Sequence, residues 1–138
     1  MSHKTIMLAL LLVISIVFYF SWIPDSSLRS ETYLPNWLLQ WSNRYYNLRT
    51  AVPFVAVGFL LEAYSDFRNS NRAEKHKKIN FIQNISVAAL IICIAEAGQF
   101  IVIRRSPTLI DVFFGIAGSI VGLIGYNLLK KIRNAKQT

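Results

Sequence analysis

The chain has 138 residues, 54% of them hydrophobic and 16% charged, with a formal net charge of +8. That length suits one domain, and its single cysteine, Cys93, excludes an intrachain disulfide and a cysteine-rich zinc site. The basic residues flank long apolar blocks, so the charge is explained by anionic lipid at a membrane surface and no nucleic-acid partner is expected.

Ile6–Ile23 is the first apolar block. It is longer than a signal-peptide core, and no small-residue cleavage motif precedes Pro24, so a retained helix over about 6–23 is expected. Leu34, Trp37, Leu38 and Trp41 then recur at helical spacing, followed by Tyr45 and Tyr46. This predicts a short amphipathic helix lying in the membrane interface, where tryptophan and tyrosine prefer to sit. The next block, Ala51–Leu61, is shorter than the ~20 residues that a span needs. Recruiting Tyr45–Thr50 extends it to a helix over 45–64, in which Pro53 and Gly58 are tolerable. Asp66–Asn80 reads as a solvated connector. Phe81–Ile103 is the third span, and Ser106–Pro107 supplies an N-cap and first-turn proline for a fourth over 108–129. The expected fold class is all-α: one domain over 1–138, an integral membrane bundle of four transmembrane helices with a short interfacial helix in the first outer loop.

Orientation follows from the basic residues. Lys4, the group Arg68, Arg72, Lys75, Lys77 and Lys78, and the group Lys130, Lys131, Arg133 and Lys136 fall on one side. Arg29, Arg44, Arg49, Arg104 and Arg105 fall on the other, the smaller set. The positive-inside rule puts both termini in the cytoplasm, the orientation expected of a multi-pass protein of a cytoplasmic membrane.

Charge inside the apolar blocks points to a site. Glu96 and Gln99 lie three residues apart and share a helix face. Arg104 and Arg105 follow in the turn, and Asp111 is expected in the second turn of the last helix. Each ionisable group at mid-membrane costs about 2.5–3.5 kcal/mol on insertion scales, so such groups persist where they pair or line a polar cavity. Arg49, at the outer end of the second span, can join them. Glu96 stands eight residues before Arg104, so the carboxylate is expected roughly 12 Å below the outer end. Asp111, Gly115, Gly118, Gly122 and Gly125 form one face of the last helix, a stripe of small residues along which the third span can pack. Glu62 is read as structural, snorkelling to water at the inner end, with Gln83 and Asn84 at the same interface. His3 and His76 give no histidine pair at ligand spacing, and no metal or cofactor is expected.

The stretch Glu96-Ala-Gly-Gln99-Phe-Ile-Val-Ile-Arg104-Arg105-Ser-Pro-Thr-Leu-Ile-Asp111, followed by Gly118 and Gly122, resembles the VanZ-like membrane protein family. Asn47-Leu-Arg-Thr-Ala-Val-Pro53, running on to Gly58, is similar to that family's earlier helix. Two positions depart from the pattern: Gly115 stands where the family often has asparagine, and Pro53 and Gly58 are more widely spaced than usual. The resemblance implies a bacterial envelope protein in the context of glycopeptide (teicoplanin) resistance or surface polysaccharide.

The leading expectation is a non-enzymatic protein whose outer-leaflet pocket, formed by Glu96, Gln99, Arg104, Arg105, Asp111 and Arg49, binds a lipid-linked glycan or lipoglycopeptide. One alternative is a small membrane enzyme acting on a lipid-linked substrate, with Glu96 as general acid or base. No nucleophile–base pair is visible to support it. The other is a structural subunit of a membrane complex. The sequence leaves the oligomeric state open.

Overall fold

The computed structural model describes residues 3–24, 32–68, 74–102 and 107–136. Among them are five helices: α1 (His3–Ser21), α2 (Asn36–Arg44), α3 (Tyr46–Arg68), α4 (Glu74–Gln99) and α5 (Leu109–Ala135). The described residues contain no strand. Four helices, all but α2, are long and apolar enough to cross a membrane. The outer faces of α1, α4 and α5 carry Leu8, Leu12, Ile82, Leu90, Phe113 and Val121, each at least 60% exposed. Water would not tolerate so continuous an apolar surface, whereas lipid does. The fold is an all-α bundle of multi-pass membrane type.

α1 and α4 run one way, α3 and α5 the other. His3 packs its ring on Tyr64 and Phe67 near the end of α3, which defines a termini end of the bundle. The turn between α4 and α5 marks the opposite, hairpin end. The shared core is Val17, Phe54, Val57, Leu61, Ala88, Ile92 and Ala95. α1 is peripheral, with only Ile6 and Val17 buried.

Helix ends depart from the hydropathy reading in one direction at the termini end. α3 continues to Arg68, α4 begins at Glu74 and α5 runs to Ala135. Much of the expected 66–80 connector is therefore helix. Its glutamate and lysines are polar yet good helix formers, so the helices outlast the apolar blocks. At the hairpin end the reverse holds. α4 stops at Gln99, four residues before the expected 103. There the amides of Phe100, Ile101 and Val102 turn back onto the carbonyls of Ala97, Gly98 and Gln99. These three-residue bonds tighten the helix end.

The tightest packing joins α3 to α5. A Cβ on Gly118 would stand 2.3 Å from the Ala51 carbonyl oxygen, and one on Gly122 would stand 2.0 Å from that of Val55. Reciprocally, a Cβ on Gly58 would stand 2.1 Å from the Ser119 carbonyl oxygen. Here two backbones touch, as small-residue faces in membranes allow. The stripe thus receives α3, not mainly α4 as the sequence suggested. Gly115 alone faces α4 directly, meeting Ile92 at 2.9 Å as well as Phe54 of α3. Gly125 is no packing position, since a Cβ there would meet nothing within 4 Å. The stripe's periodicity marks a face but does not say which neighbour takes it.

At the termini end α3, α4 and α5 are joined by side chains. Glu62, 9% exposed, accepts hydrogen bonds from the amides of Asn84 (2.8 Å) and Asn127 (3.1 Å). The Ser65 hydroxyl donates to the Asn84 amide oxygen at 2.9 Å. Glu62 is therefore held inside the bundle rather than snorkelling, because asparagines on two neighbouring helices reach it first. Asp66, one turn on, accepts from the Tyr126 hydroxyl and pairs with Lys130.

Candidate functional site

The hairpin end is built around the start of α5. Thr108 is its N-cap, with extended backbone, and its hydroxyl accepts from the Asp111 amide at 3.3 Å. The cap is thus Thr108 and not Ser106. Asp111 consequently falls in the first turn rather than the second. A threonine three residues before an acid is the pattern of a capping box, in which the acid reaches back to the cap's own N–H. Here that N–H goes elsewhere. The Thr108 amide donates to Glu96 Oε2 at 3.3 Å, while the Thr108 hydroxyl donates to Asp111 Oδ2 at 2.7 Å. One residue therefore connects the two buried acids. Both sit at the positive end of the α5 dipole, which favours carboxylates.

The early end of α4 sets the depth of Glu96. Because the helix stops at Gln99, Glu96 lies within its last turn and level with the α5 cap, not two turns below the helix end. Gln99 shares its face, as the three-residue spacing requires, and donates to Glu96 Oε1 at 3.2 Å and to Ser21 Oγ at 3.0 Å. Ser21 and Trp22 in turn donate to the Ala95 carbonyl, at 3.2 and 3.1 Å. These bonds fasten the end of α1 to α4. The Trp22 indole also lies against Gly98, where a Cβ would stand 2.1 Å from its ring nitrogen. Asp111 completes its shell with Thr50 of α3, whose hydroxyl donates to Oδ1 at 3.1 Å.

Glu96, Gln99 and Asp111 are 8, 5 and 4% exposed. With Arg49 they line one cavity of about 290 Å³. Ile16, Val17, Phe20 and Ser21 of α1 form one wall, and Thr50, Val52, Pro53 and Phe54 of α3 another. Leu34, with Leu38, Trp41 and Ser42 of α2, covers it. α2 is the expected short amphipathic helix, and it is joined to α3 through Tyr45 alone. Arg49 Nη1 lies 3.5 Å from Ser42 Oγ, so the guanidinium sits where roof and wall meet. The chamber is apolar over most of its surface and polar where the carboxylates, amide, hydroxyls and guanidinium converge. That division suits a molecule with one apolar part and one hydrogen-bonding part.

Of the residues singled out from the sequence, Glu96, Gln99, Asp111 and Arg49 share this cavity. Arg104 and Arg105 lie outside the described residues. Hydroxyls of Thr50 and Thr108 bond the two oxygens of Asp111. A threonine hydroxyl answers a buried carboxylate without bringing a second charge into the bundle. Ser21, Thr50 and Thr108 were not anticipated. The Thr108–Asp111 spacing carried a signal in the capping box, whereas Ser21 and Thr50 carried none, because only the packing brings them in. Among the described residues no group of three histidine, cysteine or acidic side chains is placed to hold a metal ion.

No family model, curated protein or solved structure matches the chain.

Proposed function

We propose that this is a bacterial envelope protein of VanZ-like type that binds an amphiphilic, glycan-type ligand in the hairpin-end cavity. The supporting observation is the pairing of a buried carboxylate–amide cluster with an apolar chamber of about 290 Å³. Glu96 and Asp111 offer acceptor oxygens for sugar hydroxyls. Arg49 offers a fork of donors for phosphate or carboxylate. α2 lies over the mouth. In this reading the hairpin end faces outward and both termini are cytoplasmic, the orientation that the distribution of basic residues favours. Glu96 acts here by hydrogen bonding: its two oxygens accept one bond each, from Gln99 and Thr108, and a carboxylate oxygen has a second acceptor site for a ligand hydroxyl.

The test is phenotypic and kept separate from folding. A host lacking the gene is complemented with wild type, Glu96→Gln, Glu96→Ala and Asp111→Asn, and scored for teicoplanin resistance and for surface polysaccharide. The reading expects loss in the alanine variant at normal membrane abundance. Full complementation by all three variants would remove the cavity from the function.

A further inference from the structure

The cavity has a side as well as a roof. α1 begins against α3, where His3 stacks near Tyr64 and Phe67. It ends against α4, where Ser21 and Trp22 hydrogen-bond to Ala95. The helix therefore leans across the bundle, and its later half stands beside the early half of α3 with the cavity between them. Two lining residues, Ile16 of α1 and Val52 of α3, are also 45 and 51% exposed on the bundle's apolar flank. A residue that both lines a chamber and faces the exterior marks an opening. Both are aliphatic, so an apolar chain can pass between them without desolvating a polar group.

Size narrows the occupant. At about 290 Å³ the chamber is at the small end of ligand sites, which run from roughly 300 to 1,000 Å³. It cannot enclose an oligosaccharide or a two-chained lipid. It has room for one sugar–phosphate unit and the first carbons of a chain. The polar groups lie at the hairpin end of the chamber and the aliphatic opening lies at its flank. A molecule placed so has its headgroup at Glu96, Asp111 and Arg49 and its chain running out between Ile16 and Val52.

We infer that the cavity is loaded sideways from the membrane, between α1 and α3, and recognises the junction of a single-chained lipid phosphate with its first sugar. This rests on the amphiphile-binding reading given above and makes it specific. The ligand arrives dissolved in the leaflet, the headgroup enters from the flank, and any further sugars remain outside the chamber.

The experiment uses the full chain in phosphatidylcholine nanodiscs, with glucosyl farnesyl phosphate as chain-bearing probe and glucose 1-phosphate as headgroup alone. The variants Ile16→Trp and Val52→Trp narrow the opening from either helix. Both sites are half-exposed to lipid, so the larger ring can be accommodated. Leu8→Trp, on the same lipid-facing surface but away from the cavity, is the control. The chain-bearing probe is expected to bind wild type at least roughly a hundredfold more tightly than glucose 1-phosphate, and each mouth variant to weaken it by roughly tenfold or more. The control should bind like wild type. If glucose 1-phosphate binds as tightly as the chain-bearing probe, or if both mouth variants bind like the control, sideways loading is overturned and the cavity reading stands. If neither probe binds wild type, the cavity reading falls and this inference with it.

Discussion

Replacing Gly118 by alanine adds one methyl group at the point where α3 and α5 touch. Its Cβ would lie 2.3 Å from the Ala51 carbonyl oxygen and 3.0 Å from the carbonyl carbon. To restore van der Waals contact the helices must separate by roughly 1 Å, and no rotamer change can relieve a clash with backbone. Overpacking of this kind costs typically 1–3 kcal/mol, roughly. The better helix propensity of alanine returns up to about 1 kcal/mol. A net loss of up to about 2 kcal/mol is expected, and about 1–3 kcal/mol relative to a glycine-to-alanine change that meets no clash. Gly125→Ala is the matched control, because its Cβ meets nothing within 4 Å and only the propensity gain, about 0.5–1 kcal/mol, applies. The separation also reaches the site. Ala51 neighbours Thr50, whose hydroxyl donates to Asp111 Oδ1 at 3.1 Å. Opening by ~1 Å takes that contact out of hydrogen-bond range. Unfolding by sodium dodecyl sulfate titration, followed by circular dichroism, would compare the two variants in one background. Equal stability of Gly118→Ala and Gly125→Ala would refute the claim that the backbones touch there. The bulkier Gly118→Leu should fail to fold stably; normal expression and melting would count against the same claim.

Asn84→Ala removes a donor to Glu62 and an acceptor for Ser65 at once, inside the bundle, and should cost about 1–3 kcal/mol in the same titration while leaving probe binding at the far end unchanged. Thr108→Val deletes the α5 cap and both hydroxyl bonds to Asp111; a loss of about 0.5–2 kcal/mol is expected, largely rescued by Thr108→Ser, and valine indistinguishable from serine would contradict the capping role. Lys130→Ala opens the pair with Asp66, but both side chains are partly exposed, at 30 and 27%, so the effect should be under about 1 kcal/mol and shrink with added salt. A larger, salt-independent loss would mean that the pair is shielded.

The number and order of the spans were legible because apolar blocks of membrane length admit few alternatives. The amphipathic helix between the first two was legible from the spacing of Leu34, Trp37, Leu38 and Trp41. Helix ends were not. At the termini end the polar helix formers after Tyr64 and Leu129 carry helix past the point where hydropathy falls. At the hairpin end, apolar residues 100–102 lie beyond the end of α4. That second difference moved Glu96 to the level of the α5 cap. The partnership of Glu96 and Asp111 could be anticipated, since an intramembrane acid calls for a polar neighbour. The Thr108–Asp111 half of it is signalled by the capping-box spacing, whereas the bond from the Thr108 amide to Glu96 is not, because backbone groups leave no mark in composition. The glycine stripe showed a face made for close approach, yet two neighbouring helices could fill it. Glu62 was misplaced for a related reason: one acid near a span's end reads as solvated until asparagines from two other helices are set beside it.

The central claim is that the buried acids at the hairpin end hold an amphiphile. Mass spectrometry of the protein purified from its native membrane in mild detergent tests it most directly, by comparing lipids retained by wild type with those retained by Glu96→Ala and Asp111→Ala. The account predicts a phosphate- or sugar-bearing single-chain lipid at near-stoichiometric amount on wild type and its loss from both variants, with bulk phospholipid equal in all three. Identical lipid profiles across wild type and variants would contradict it.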